Sequence, residues 1–291
     1  MAGPGIIKDD LRFIKNLAYV SGLRGLDGTG VCQGTIFKHP DIKSNITVEK
    51  VSNDISWFLW YHSIAIHKEA NIELLDDPIC NFFLGHVRAA TRGDLSDDSA
   101  HPFTFSNLIG MHNGTLKDPK YQDDKLTDSE LLFKDINENG VKTVLQKLDP
   151  HSAYAIIMLD KVNDNLVFAK NSHRDLYFAI SSKRKVIYWA SEYEMLKWSA
   201  ERDAIPIAKY MKLSSHIIHT FKPSDVQIGE CPTWTLDKLF GENKEEKPKV
   251  LEDLRPKKNE HQDIIKTFYR NCDYCKKSMN LLEQYQSLTY G

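Results

Sequence analysis

Gly85-His86-Val87-Arg88-Ala89-Ala90-Thr91-Arg92-Gly93, followed by Met111-His112-Asn113-Gly114, is the stretch on which the fold turns. Phe82 to Arg88 predicts a strand that delivers Arg88 to its end. Asn107 to His112 predicts a second strand, and Asn113-Gly114 is a strong turn signal after it. Thr127-Asp128-Ser129-Glu130 then opens an apolar-periodic run, Leu131 to Ile136. A polar start with an acid in the first turn marks a helix N-terminus. Taken singly, an arginine is most often a surface residue, Asn-Gly a hairpin turn, and Asp a helix cap.

Upstream, Gly3 to Ile7 reads as a first strand, and Asp10 to Val20 has helical spacing at Leu11, Ile14, Leu17 and Ala18. Arg24-Gly25-Leu26-Asp27-Gly28-Thr29-Gly30 reads as a glycine-rich tight turn. It lacks the Gly-Lys-Ser/Thr ending of a phosphate loop. Gly34 to His39 and Ile46 to Val51 read as short strands or connections, and Ile55 to Glu69 as a helix. Downstream, Val141 to Leu148 continues as a helix and Ser152 to Asp160 as a buried strand. Leu166 to Asn171, Leu176 to Ser181 and Val186 to Ser191 follow at the spacing of an antiparallel meander. Glu192 to Ala200 is helical, and Ile217 to Phe221 is the last expected strand. This order gives an α+β chain, two sheets with helices on their faces.

Three regions follow: a mixed domain over 1–222, a charged linker over 223–260, and a helical tail over 261–291. The linker core, Gly241 to Lys249, has almost nothing to bury. Ile264, Ile265, Phe268 and Tyr269 recur at helical spacing in the tail.

The chain has 291 residues, 41% apolar, with a net charge of −2. That balance predicts no long-range attraction to nucleic acid or to an anionic membrane. No apolar run approaches the roughly 20 residues of a membrane span. Asp9 and Asp10 stand where a signal peptide needs a basic start. Five cysteines, an odd and sparse set, suit a reducing compartment, and the expectation is a cytoplasmic protein. Cys272-Asp273-Tyr274-Cys275 is a lone C-x-x-C pair. A structural zinc site needs four ligands, so the pair reads as a coincidence on a helical tail or as half of an intermolecular site.

Together these segments resemble the class II (N-terminal nucleophile) glutamine amidotransferases. Gly85 to Gly93 is similar to their Gly-His-x-Arg-x-x-Thr-x-Gly, with Ala100-His101-Pro102-Phe103 matching downstream, and Met111 to Gly114 and Thr127 to Glu130 follow in the family's order. Arg24 to Gly30 is similar to their Arg-Gly-x-Asp-x-x-Gly. Asn171 to Tyr177 resembles a supporting turn in which Asp175 replaces a proline, and Tyr188 to Glu192 a supporting strand end. The likeness covers about the first three quarters of the chain.

The resemblance implies a four-layer αββα fold, two antiparallel sheets between helical layers. It implies that Arg88 grips the α-carboxylate of glutamine through its planar fork, with Thr91 adding a donor at the same end. Asp128 would pair with the α-ammonium, and Asn113 and Gly114 would form the oxyanion hole. His86 reads as structural. No metal and no cofactor are implied. Glutamine is the implied ligand, with ammonia passed to a separate synthase or released. Self-association through the tail is the other expected contact.

The sequence departs from the family at one decisive place. Position 2 is Ala2, where the resemblance places a cysteine that attacks the amide while its own α-amine acts as base. Gly3, Pro4, Gly5 and Ile6 keep the surrounding frame. Replacement by design and natural loss both give this sequence, and the intact Arg88, Asn113, Gly114 and Asp128 favour design or a recent loss. Cys32 lies inside a strand-like run and is no substitute. Ala2 therefore leaves two readings: a glutaminase site lacking its nucleophile, or a glutamine-binding sensor or adaptor.

Overall fold

The computed structural model describes residues 1–36, 44–56, 58, 59, 80–90, 94–240 and 249–251. In chain order it holds β1 (Ala2–Gly3), α1 (Lys8–Ser21), β2 (Gly28–Ile36), β3 (Asn45–Val51), β4 (Cys80–Arg88), β5 (Phe103–Thr104) and β6 (Leu108–Thr115). There follow α2 (Asp128–Asn139), α3 (Val141–Gln146), β7 (Ala153–Asp160), β8 (Asn165–Lys170), β9 (Tyr177–Ser181) and β10 (Ile187–Ala190). The last are α4 (Tyr193–Arg202), β11 (Ile207–Lys212), β12 (Ile217–Phe221), β13 (Thr235–Lys238) and β14 (Lys249–Leu251). Eight strands form one sheet in the order β14-β11-β9-β10-β1-β4-β2-β3, and six form another in the order β13-β12-β8-β7-β6-β5. The registered pairs are antiparallel.

Burial follows the strand period of two. Leu84, Phe178 and Ile187 from the large sheet meet Ile109, Leu159 and Phe168 from the small one in a core between the sheets. On the outer face of the large sheet, Phe13 and Ile14 of α1 and Leu196 and Ala200 of α4 cover Val31, Phe83 and Tyr188. On the outer face of the small sheet, Leu132, Phe133 and Ile136 of α2 and Val144 of α3 cover Ile156, Met158 and Ile218. The layers run helix, sheet, sheet, helix, the expected αββα order. Each sheet buries both faces, which is why its strands read as nearly continuous apolar runs.

Several local expectations change. Asn113-Gly114 is not a turn. Both residues continue β6, paired with Ala155 and Tyr154 of β7. Glycine is needed there because a Cβ at Gly114 would lie 1.9 Å from the Ala153 carbonyl oxygen. The first strand is shorter than Gly3 to Ile7. Gly3 takes φ +141°, a conformation reserved for glycine, and bends the chain toward α1. Gly28 and Gly30 belong to β2, opposite Arg88 and His86, not to a tight turn.

The strands read as one meander are split. β8 belongs to the small sheet and β9 and β10 to the large one, because the chain crosses between sheets at residues 171–176. Ile217–Phe221 is not the last strand. β13 pairs with β12 along Ile217↔Lys238 to Thr220↔Thr235, inside the stretch read as linker. A first compact unit spans Met1–Val250 and a second Leu251–Gly291. Most of the helix expected over 55–69, much of the charged linker, and the 261–291 tail with Cys272 and Cys275 lie outside the described residues. Among the described residues no helix is long and apolar enough to cross a membrane.

Candidate functional site

A cavity of about 340 Å³ has Met1, Arg88, Asn113, Gly114 and Asp128 in its wall. Four of the six residues singled out from sequence are thus brought together. Thr91 lies outside the described residues. Ala2 is fully buried one residue from the wall, in the core between the sheets that also holds Met111 and Trp189. Both of those residues line the cavity.

β1 explains this placement. Ala2 pairs with Phe82 of β4 and Ile187 of β10, so the chain's start lies inside the large sheet. The Met1 α-ammonium donates to the Phe83 carbonyl at 2.7 Å, and Phe83 N–H donates back to the Met1 carbonyl at 2.8 Å. Burial pushes that amine well below its ordinary range, with the Asp10 carboxylate opposing. Asp10 accepts from Ile7 N–H at 2.8 Å, from Tyr188 Oη–H at 2.5 Å and from the Arg184 guanidinium. These contacts clamp the start of α1 to β10.

Arg88 ends β4 and is buried. Its Nη1 donates to Ser99 Oγ at 2.6 Å and to the Asp94 carbonyl at 3.0 Å. Burial lowers its pKa, while Asp27 and Asp128 favour the charged form. Asp27 ties the two ends of the loop, accepting from Ala90 N–H at 2.7 Å and donating its own N–H to the Arg88 carbonyl at 3.0 Å.

Thr127, not Asp128, caps α2. Its Oγ1 accepts from Glu130 N–H at 3.1 Å. Asp128 is the first helical residue. Its Oδ2 accepts from Leu116 N–H at 2.9 Å, and its Oδ1 accepts from Ser129 Oγ–H at 3.3 Å. The carboxylate is therefore aimed by both oxygens and sits where the helix dipole favours negative charge.

Asn113 and Gly114 are the last-but-two and last-but-one residues of β6, half-buried beside His112. The His112 ring lies with Nδ1 2.9 Å from Ser129 Oγ and Nε2 3.4 Å from the Ala153 carbonyl. His86 and His101 also line the cavity, their rings 4.0 Å apart. Burial is the largest cause holding all three imidazoles below their ordinary pKa, His86 down to about 3. The histidines are therefore neutral, and the cavity's cationic character comes from arginine. Among the described residues no group of His, Cys, Asp and Glu is arranged to hold a metal ion.

Two residues that the sequence did not single out join the site. Ser129 links His112 to Asp128, and its signal was its place inside the Thr-Asp-Ser-Glu segment. Arg174 lines the cavity from the segment read as purely supporting. Lys170, buried in β8, donates to the Asn171 and Arg174 carbonyls and to Ser215 Oγ, and pairs with Asp175 at 3.4 Å. Asp175 also accepts from Lys212 at 2.8 Å and Tyr177 at 2.9 Å. The aspartate in place of proline thus pins the turn by charge.

No protein-family model matches the chain. The glutamine–fructose-6-phosphate aminotransferase (isomerizing) of Wigglesworthia glossinidia brevipalpis is 30% identical over 134 residues, which cover 36% of this chain and 22% of that protein. Among solved structures, the glutamine phosphoribosylpyrophosphate amidotransferase from B. subtilis, complexed with ADP and GMP, superposes with a TM-score of 0.51. The sequences are 15% identical, and the match covers 82% of this chain and 48% of that one. A structure of the allosteric regulatory enzyme of purine biosynthesis gives 0.50 at 16% identity, covering 80% and 46%. This chain shares their fold. It spans about half the length of either solved chain, and less than a quarter of the curated relative. The αββα architecture expected from the motifs is the one these structures have, and both the curated relative and the first solved structure are named for glutamine.

Proposed function

We propose that the cavity binds glutamine and belongs to a class II glutamine amidotransferase domain, with Ala2 at the position where the resemblance places the nucleophilic cysteine. One observation carries this reading: a buried arginine and a buried, doubly oriented aspartate share a cavity wall with Asn113 and Gly114. An amino acid zwitterion needs one group of each sign, and a γ-carbonyl needs donors aimed at its oxygen. Arg88 takes the α-carboxylate, Asp128 the α-ammonium, and Thr91 supports the carboxylate end.

With cysteine at position 2 and Met1 removed, the thiolate attacks the γ-carbonyl and its own α-amine handles the proton. The Asn113 amide and Gly114 N–H hold the oxyanion, each worth about 2.7–4 kcal/mol where water is excluded. Ammonia leaves, and water releases glutamate from the thioester. The ammonia goes to a separate synthase or to solvent. Cys32 and Cys231 form no disulfide, which suits the reducing compartment of the proposed reading. Cys32 is buried and its thiol is pushed up to about 12, so it stays protonated and does not replace the missing thiolate.

The test is glutamate release by Ala2→Cys protein, with Met1 removal verified by mass. Turnover by that form, and none by the parent, is expected. A folded, processed Ala2→Cys protein that binds glutamine without turnover would favour the second reading, a glutamine sensor or adaptor. Ala2 at the expected nucleophile position, with Arg88, Asn113, Gly114 and Asp128 retained in one cavity, is the observation behind that reading. No binding by either form would remove both.

A further inference from the structure

We propose that Arg174 is a second carboxylate-binding residue of the cavity, and that the favoured ligand is an α-amino acid carrying a second carboxylate, ahead of glutamine itself. This rests on the reading above in one respect: Arg88 and Asp128 take the α-carboxylate and the α-ammonium.

The balance of charge on the wall points there. With its histidines neutral, the cavity is bordered by three arginines, Arg24, Arg88 and Arg174, against one carboxylate, Asp128, among the described residues. Arg24 is balanced by Glu192, 2.9 Å from its Nε, and its Nη1 donates to Ser191 Oγ. Arg88 donates to Ser99 and to the Asp94 carbonyl, and faces the charges of Asp27 and Asp128. Arg174 has no such balance. Among the described residues its guanidinium makes one hydrogen bond, from Nη1 to the carbonyl of its neighbour His173 at 3.1 Å. A glutamine zwitterion is neutral and leaves that charge uncompensated. A second carboxylate on the ligand neutralises it, and the arginine fork can take a carboxylate with two parallel bonds.

The backbone under Arg174 is fixed, and its side chain is not. Asn171 N–H donates to the Tyr154 carbonyl at 3.1 Å, and Asn171 Nδ2 to the Ser152 carbonyl at 2.6 Å. Asn171 Oδ1 accepts from His173 N–H at 3.1 Å. Lys170 Nζ donates to the Arg174 carbonyl at 3.1 Å, and Lys212 holds Asp175 at 2.8 Å. The fork therefore projects from a turn that is already ordered, which lowers the entropic cost of binding.

That turn lies beside β6. Tyr154, which accepts from Asn171, pairs with Gly114. Leu116, just past β6, donates to Asp128. Arg174 and Asp128 are thus anchored at the same end of β6. The charge of Arg174 is felt at His112: burial is the main cause of that imidazole's lowered pKa, Asp128 opposes it, and Arg174 adds to it. A ligand whose α-ammonium meets Asp128 has Arg174 at the same end of the cavity.

The test is titration calorimetry of the full chain at neutral pH with glutamine, L-aspartate, L-glutamate and γ-glutamylglycine. The last three place the second carboxylate at increasing reach. The one of matching reach is expected to bind about tenfold more tightly than glutamine, the low end for a hydrogen bond to a charged group because Arg174 is half-buried. Arg174→Gln should bring that ratio down to about one, and Arg174→Lys should keep part of it. Glutamine binding at least as tightly as every diacid would overturn the inference and leave the glutamine reading intact. A diacid advantage unchanged in Arg174→Gln, or an equal loss for both ligands, would also overturn it, the second by showing a merely structural role. Binding of none of the four by folded protein would overturn both readings.

Discussion

Ser129 Oγ lies 2.9 Å from His112 Nδ1, joining the first turn of α2 to the strand that carries Asn113 and Gly114. The same hydroxyl reaches Asp128 Oδ1 at 3.3 Å. The group proposed to read the α-ammonium and the segment proposed to hold the oxyanion are thus coupled through one side chain. We predict that Ser129→Ala weakens glutamine binding about fivefold, the worth of one hydrogen bond of about 1 kcal/mol. Ser129→Thr should restore most of it. Titration calorimetry of both variants in the Ala2 background decides this, and Ala binding like the parent would remove Ser129 from the site.

Arg88 and Asp128 differ in how they should fail. Arg88→Lys keeps the charge and loses the planar fork. Losing a charge-assisted bond worth about 1.5–3 kcal/mol should weaken glutamine binding by roughly ten- to a hundredfold. Asp128→Asn keeps the shape and can still accept from Leu116 N–H, but loses attraction for the ammonium. Against butyramide, which lacks both the α-carboxylate and the α-ammonium, neither variant should differ from the parent. A deficit equal for both ligands would mean a general collapse of the cavity.

The histidines set an acid limit on stability. His86 is held down to about 3 by burial, and His101 and His112 shift in the same direction. Between the ordinary value near 6.5 and the folded value, the unfolded chain binds protons that the folded chain does not. Stability is therefore complete above about pH 6.5 and falls as pH drops, by up to about 1.4 kcal/mol per unit for each histidine. Replacing His86 with Gln should flatten that slope. Urea midpoints at about pH 7.5 and about pH 5 for parent and variant measure it, and an unchanged slope would exclude His86 as a contributor.

Gly114→Ala should separate β6 from β7. The added methyl would meet the Ala153 carbonyl oxygen at 1.9 Å, a backbone atom with no freedom to swing away. A cost of about 1–3 kcal/mol is expected, with loss of glutamine binding, read from the shift in the urea midpoint.

The motif residues were legible because their chemistry is concentrated in short segments. Arg88, Asn113, Gly114 and Asp128 occupy under fifty positions of sequence and meet in one cavity. The layers were legible from apolar runs longer than a one-sided strand provides. The assignment of β8 to one sheet and β9 to the other was hidden, because alternation is the same on either side of a sheet crossing. β13 was hidden by its composition: Thr235, Leu236, Asp237 and Lys238 form an exposed edge strand whose order comes from pairing with β12. Arg174 was hidden because Lys170 at the end of β8 and Lys212 of β11, which hold its turn through Asp175, meet only in the fold.

The two residues of β1 separate β4 from β10 in the large sheet, Ala2 facing Phe82 on one side and Ile187 on the other. One edge of β1 therefore waits for residues made much later. At roughly 5–20 residues per second, the ribosome takes on the order of ten to forty seconds between position 2 and position 187. Until β9 and β10 are made, the large sheet can hold only β1 to β4. β1 can pair with β4 once Phe82 is made, but its other edge stays open until Ile187 follows, so the cavity walled by both Arg88 and Tyr188 is completed late in synthesis.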